Sequence, residues 1–220
     1  LMKFIDLSHT IEDGTVTYKG LPAPKICDYW TREESKNWYD EDTSFQIGKI
    51  EMVSNTGTYI DTPFHRYEDG KDLSDILIEK TALLDAVIIR VPYQESKIID
   101  VDIFKQYDIK NKAVLVHTGW DELWEKEAYY SENPYLTTEA AQYLVEQEVI
   151  LVGIDSYNID DVSGKSRPVH TILLKNEILI VEHLCNLKQV PDGVAIKFCA
   201  TPPKVKGMGT FPVRAYIVVE

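Results

Sequence analysis

The chain has 220 residues, 44% hydrophobic and 27% charged, an ordinary balance for a globular chain with a substantial core in one large or two small domains. Its formal net charge of −13 is spread along the sequence, so the surface repels phosphate backbones and anionic lipid, and no nucleic-acid or membrane role is expected. Apolar runs such as AVIIRV and VILVGI fall far short of the roughly 20 residues that cross a bilayer. The start LMKFIDLSHTI has no basic segment leading into an apolar one, so no secretory signal is expected.

In chain order, and reading from Met2, KFIDLS is a first strand with His9 just beyond it. The region 27–42, beginning CDYWTREESKNWYD, has no clean periodicity and carries Tyr29, Trp30, Trp38 and Tyr39 among charges. It reads as a loop that either tucks aromatics onto the core or walls a pocket, and Trp30 and Trp38 are candidate substrate contacts. FQIGKIEMV is the next strand. In SNTGTYIDTPFH, Ser54 to His65, Gly57 frees the backbone at a strand end, while Pro63 locks its own φ and pushes Thr62 out of the helical region. Asp61 and His65 therefore ride on a stiff connection. Held so, they can bind one metal, or one can bind while the other moves protons; equally, Asp61 can cap the turn and His65 pack beside it.

DAVIIRV, AVLVHTG, VILVGID, EILIVE, GVAIKFC and RAYIVVE continue as strands, several apolar at consecutive positions and so expected to be buried on both faces. Helical signals are fewer. TTEAAQYLVEQ puts Ala140, Ala141, Leu144 and Val145 on one face, with Thr137 or Thr138 as cap; DVDIFKQYD is shorter, with Ile103, Phe104 and Tyr107 on its apolar side. AVLVHTGW, the longer helix and VILVGID make a β–α–β unit between strand-rich arms, which points to one α/β domain over residues 2–220 with a mixed sheet. His9 and His117 read as structural histidines, and strand alternation points His183 away from Glu182. Asp155 is expected to pair with Arg167 or Arg214, and Trp120 to lie in the core or a pocket. Cys27, Cys185 and Cys199 are odd in number without a CxxC pair, so they read as reduced thiols of a cytoplasmic protein, each a small core residue.

RPVHTILLKNEILIVEHLCNL holds His170 and Glu182 on either side of a short helix and a strand. A carboxylate that ends an apolar strand lies at the surface or is buried with a partner. His, Asp and Glu from separate elements are how three-ligand metal sites with an open position are assembled. With that second cluster in view, NTGTYIDTPFH resembles the H-x-G-T-H-x-D-x-P-x-H signature of the cyclase family of metal-dependent hydrolases, which includes kynurenine formamidases and isatin hydrolases. IDLSHTIEDG, VHTGW, VGIDS, HTILLKNEILIVEHLCNL and GTFPVRA resemble further segments of the family, in the same order over nearly the whole chain.

The resemblance implies a swivelling β/α/β domain, usually a homodimer or homotetramer. Asp61, His170 and Glu182 fall on metal-ligating positions, and His65 on a histidine that acts in proton transfer near the metal. Asn55 and Tyr59 stand where the family places two histidine ligands, so the expectation is one divalent ion per chain, zinc or manganese, with Asn55 and Tyr59 lining the vacated space and hydrogen-bonding substrate. The implied activity is hydrolysis of a non-peptide amide, cyclic amide or lactone in a small, often aromatic, molecule. There is no G-x-S-x-G elbow, so a serine esterase is not expected. The alternative is a catalytically weak relative that binds a small ligand or serves as an oligomeric scaffold.

Overall fold

Every apolar run read as a strand forms one. The structure, a computed structural model, describes residues 2–40 and 42–219; Glu41, inside the region 27–42, lies outside them. In chain order the strands are β1 (Lys3–Asp6), β2 (Lys25–Trp30), β3 (Ile47–Glu51), β4 (Tyr59–Asp61), β5 (Leu84–Arg90), β6 (Ile98–Ile99), β7 (Ala113–His117), β8 (Tyr135–Leu136), β9 (Leu151–Ile154), β10 (Leu179–Glu182), β11 (Ile196–Cys199), β12 (Thr210–Pro212) and β13 (Tyr216–Val219). The α-helices are α1 (Arg32–Ser35), α2 (Val101–Phe104), α3 (Thr138–Glu146) and α4 (Pro168–Lys175).

Nine strands make one mixed sheet in the order β1-β13-β11-β5-β7-β9-β10-β4-β12. Its centre, β5-β7-β9-β10, is parallel, and the strands on either side pair antiparallel. The β–α–β expectation is met by β7, α3 and β9: the strands are parallel neighbours, and Thr137 caps α3 by accepting from the Ala140 amide at 3.1 Å.

Alternation along the central strands divides their side chains between two cores. Val114, Val116, Val152, Ile154 and Ile180 pack with Phe104, Ala140, Leu144, Val169 and Leu173 under the helices. Ala113, Leu115, Leu151 and Val181 pack on the other face with Ile5, Ile60, Phe198 and Ile217. Strands from both edges thus share one core with the centre, which requires the sheet to curl. The fold class is α/β with a mixed sheet, as expected.

The arm 25–51 differs from expectation. The aromatic-rich region is part strand and part helix: β2 pairs with β3 in a two-stranded ribbon, and Thr31 and Glu34 form a reciprocal capping box on α1. FQIGKIEMV does not yield a buried strand, because among the described residues β3 pairs only with β2 and is exposed along its whole length. Cys27, on the same ribbon, is exposed rather than in the core, whereas Cys185 and Cys199 are buried; all three are free thiols.

Candidate active site

Register brings the carboxylates together. β10 pairs antiparallel with β4 so that Glu182 opposes Tyr59 and Ile180 opposes Asp61. Opposed residues share a face, and so do residues two apart. Tyr59, Asp61 and Glu182 therefore emerge on the side of Ile180, under the helices, where α4 lies. All three are buried. The Tyr59 hydroxyl donates to Glu182 Oε2 at 2.8 Å, and the Ile159 amide donates to Glu182 Oε1 at 2.7 Å.

α4 supplies the imidazole. Pro168 opens the helix, its missing N–H costing nothing there. Buried Asp160 accepts from the Val169 amide at 2.8 Å, the His170 amide at 3.1 Å and His170 Nδ1 at 2.6 Å. One carboxylate thus caps the helix and fixes the ring. A neutral imidazole whose proton is kept on Nδ1 has its lone pair at Nε2. That atom faces the strand carboxylates, 3.5 Å from Asp61 Oδ2 and 3.6 Å from Glu182 Oε1.

Both Asp61 oxygens are buried without a hydrogen-bond partner among the described residues. A buried carboxylate needs a compensating cation, which in the metal-free site is the His170 imidazole, held protonated 3.5 Å away, and which a divalent ion can replace. The donor set suits a divalent metal ion: a free imidazole nitrogen and carboxylate oxygens, spaced near the ~3.4 Å that separates ligands lying about 2.1 Å from a tetrahedral ion. Asp61, His65 and His170 each offer one ligand atom within 4.8 Å of the others. His65 thus stands close enough to serve the same ion, while Glu182 adjoins it through His170. The metal residues expected from the sequence, Asp61, His170 and Glu182, are brought together, and the expected proton carrier His65 beside them.

Titration follows from the same crowding. Burial, then repulsion from Asp61, lifts Glu182 above the usual carboxylate range despite its bonds to Ile159 and Tyr59. Burial opposes a charge on His170, but Glu182, Asp160 and Asp61 outweigh it and hold the imidazole well above its ordinary value. Burial and the Glu182 and Asp61 charges push the Tyr59 phenol well up, in keeping with its role as donor rather than phenolate.

His65 sits at the end of a single 3₁₀ turn, Pro63–His65, entered from extended Thr62, so the stiff connection is present. The Thr62 amide and hydroxyl both donate to the Gly209 carbonyl, at 2.8 and 2.9 Å, tying the turn to the segment before β12. His65 is exposed on the wall of a cavity of ≈ 740 Å³ that also meets Asn55, Tyr59, His170 and Glu182. Asn55 Oδ1 accepts from the Thr210 hydroxyl at 3.2 Å.

Of the other expectations, some are corrected, while His9 and Trp120 are structural as expected. Trp30 and Trp38 do not line this cavity within the single chain; they stack on each other, 5.9 Å apart, on the exposed arm. Tyr59 lines the cavity as expected, but its hydroxyl donates to Glu182, which leaves only its oxygen lone pairs for another partner. Asp155 pairs with neither arginine: it accepts from the Thr118 amide, the Thr118 hydroxyl and the Gly119 amide, while Arg214 binds Asp6. His183 escapes strand alternation because its φ is +57°; it is buried, bonded through Nδ1 to the Tyr129 hydroxyl, with its ring 5.1 Å from that of Tyr59. His9 stacks on Trp124, and burial pushes it down to about 4. Trp120 is buried, donating to the Tyr129 carbonyl.

His117, Asp121 and Asp155 form a second cluster of ligand-type atoms. Arg90 Nη1 donates to His117 Nδ1 at 2.6 Å, so the neutral ring keeps its proton on Nε2 and has no lone pair left for a metal. His170, with the opposite tautomer, does. Sequence reading missed Asp160, and also Arg66, Lys165 and Arg167 on the cavity wall. The Pro168 helix start was a usable signal, but a cap eight residues upstream of the proline lies outside ordinary N-cap spacing.

Fold and site together define a mixed-sheet α/β protein with a carboxylate–imidazole cluster suited to a metal. Residues 5–161 match the Cyclase family, and the chain belongs to it. A kynurenine formamidase of Bacillus anthracis is 28% identical over 222 residues, spanning 98% of this chain and 97% of the relative. A solved structure of a potential metal-dependent hydrolase with cyclase activity superposes with a TM-score of 0.81 at 26% identity, covering 100% of this chain and 99% of the other. Isatin hydrolase A from Labrenzia aggregata shares the fold, with a TM-score of 0.84 at 20% identity over 99% of this chain and 94% of its own.

Proposed function

We propose that the chain is a metal-dependent hydrolase that cleaves an amide bond of a small aromatic substrate, using one divalent ion, zinc or manganese, held by Asp61, His170 and Glu182. The observation that carries this reading is the buried cluster itself. The Asp61 carboxylate, with no hydrogen bond among the described residues, and Glu182 converge on His170 Nε2 at 3.5 and 3.6 Å, a donor set an ion can occupy once the imidazole gives up its proton. Similarity to a kynurenine formamidase supports an amide on an aromatic amine as the bond cleaved. When bound, such an ion supplies Lewis acidity toward a carbonyl and toward water.

The remaining work falls to the chain. Asp160 keeps the His170 proton on Nδ1, and Tyr59 and the Ile159 amide hold Glu182 in place. Asn55, whose Oδ1 accepts from the Thr210 hydroxyl, lines the cavity beside Tyr59 and contacts substrate there. His65, on the open wall, takes at a ring nitrogen the proton of the water that adds to the carbonyl carbon and delivers it to the amine nitrogen as the C–N bond breaks. One ion rather than two is supported by Asn55 and Tyr59: neither offers an imidazole, and the Tyr59 hydroxyl is committed to Glu182. A role in ligand binding without turnover is less favoured, since a kynurenine formamidase is similar over nearly the whole length of the chain.

The same reading takes the protein as cytoplasmic and as a homodimer or homotetramer. Three free thiols support the first, and the apolar residues Ile26, Tyr29, Ile47 and Ile50, exposed on the β2–β3 ribbon of a single chain, support the second. No helix among the described residues is long and apolar enough to cross a membrane.

Elemental analysis paired with an aryl-formamide hydrolysis assay tests the proposal. About one metal per chain is expected, lost together with activity in Asp61→Ala and His170→Ala. Protein that takes up no metal under any loading condition overturns it.

A further inference from the structure

Three cations meet at the cavity in a chain whose net charge is −13. Arg66 follows His65 directly; its Nε donates to the Thr171 hydroxyl at 3.2 Å, and its guanidinium lies 5.6 Å from the centre of the Tyr67 ring. Arg167 precedes α4, and its Nη1 donates to the carbonyls of Asp161, Gly164 and Ser166 at 3.3, 2.9 and 2.8 Å. Loop 161–166 therefore wraps one edge of that guanidinium and fixes it, leaving the other edge without a hydrogen bond among the described residues. Lys165 rides on the same loop and also lines the cavity.

None of the three forms an ion pair with a carboxylate among the described residues, although the chain is rich in acids and lysines elsewhere find them, as Lys71 and Lys80 do on Glu177. Nor do they neutralise the buried site. Asp61, Asp160 and Glu182 all approach His170 instead. Unpaired guanidinium groups around one opening raise the local anion concentration, and the planar fork of arginine matches a carboxylate.

We propose that the cavity selects substrates bearing a carboxylate, gripped by Arg66 and Arg167, with Lys165 steering its approach. The inference rests on the hydrolase reading for the reaction, but the recognition it describes is separable from turnover. A charge-assisted hydrogen bond corresponds to about tenfold to a hundredfold in affinity.

The test uses the metal-loaded protein and two pairs of probes. Calorimetry compares benzoate with its neutral isostere benzamide; kinetics compare 2-formamidobenzoate with its methyl ester. The acid of each pair is expected to be favoured about tenfold or more, and the ratio of acid to neutral probe to fall about tenfold in Arg66→Gln and again in Arg167→Gln. Arg167→Gln could loosen its loop, so Arg66→Gln and Lys165→Gln, both exposed, carry the test if it unfolds. For Lys165→Gln the loss is smaller and fades in high salt, as a steering charge requires. Equal binding of benzoate and benzamide overturns the inference. So does a preference that survives in the Arg66→Gln, Arg167→Gln double variant, since the carboxylate would then be held by the metal. If benzoate is held through the arginines but no formamide is cleaved, the inference stands and the hydrolase reading fails; cleavage with no acid preference has the opposite meaning.

Discussion

Asp160→Asn isolates the orientation of His170 from its presence. Asparagine keeps the shape and one acceptor, which can still serve the Val169 amide. Its NH₂ end then faces two donors, the His170 amide and Nδ1–H, where the carboxylate accepts both at 3.1 and 2.6 Å. The neutral ring relieves the clash by keeping its proton on Nε2, which takes away the lone pair that the parent's neutral ring would direct at Asp61 and Glu182. Loss of the charge-assisted bond costs about 1.5–3 kcal/mol. A buried amide left unsatisfied adds about 1 kcal/mol or more, so metal-free stability is expected to drop by about 3 kcal/mol. Metal affinity is expected to weaken about 10–100-fold, as for other outer-shell partners of ligating histidines. Urea unfolding of the metal-free protein gives the first figure and chelator competition the second. Imidazole ¹⁵N shifts report the tautomer directly. A folded variant that keeps the Nδ1–H tautomer and binds metal within about twofold of the parent would refute the reasoning.

If the chain holds one ion, as proposed, Asn55→His with Tyr59→His is expected to raise the metal content toward two per chain; unchanged stoichiometry counts against a vacant half-site. Gly209→Ala would put a Cβ 2.3 Å from the His65 amide nitrogen and 2.6 Å from its Cα. It is expected to cost about 3 kcal/mol or more and to lower kcat, read by melting and steady-state kinetics; a variant with the parent Tm would show that this segment yields freely. Without metal, burial and Asp61 raise Glu182 to about 7, and the three carboxylates raise His170. Both groups then hold protons that the unfolded chain gives up earlier, so their contributions to metal-free stability are full at low pH and are lost as pH rises through the folded values. The metal-free protein is therefore expected to be more stable at pH 6 than at pH 8, while metal binds more tightly at pH 8 and releases protons, measurable by calorimetry in buffers of different ionisation enthalpy. The opposite order at both pH values would rule this account out.

Much of the frame was legible because burial leaves a local trace. Consecutive apolar positions in AVLVHTG and VILVGID announced strands covered on both faces, and Thr137 announced the start of α3. The exposed ribbon was not legible: IGKIE looks like any strand, and only its lack of a second neighbour leaves it uncovered. Cys27 was misread for the same reason. His183 was misplaced because alternation presumes extended backbone, and its φ of +57° ends that pattern one residue after Glu182.

The candidate site divides along the same line. The sequence by itself singled out Asp61, His65, His170 and Glu182 as candidates for ligand chemistry, because they fall on segments that resemble the family's motif. Tertiary structure alone decided what each of them touches. The β4–β10 register gives the Tyr59 hydroxyl to Glu182, the 158–160 segment presents Asp160 to His170, and the 161–166 loop holds Arg167 and Lys165 at the cavity that Arg66 also lines. The physical reason is that periodicity encodes the face a residue occupies on its own element, whereas a hydrogen bond between residues ten or a hundred positions apart depends on how strands pair and helices dock, which no local pattern records.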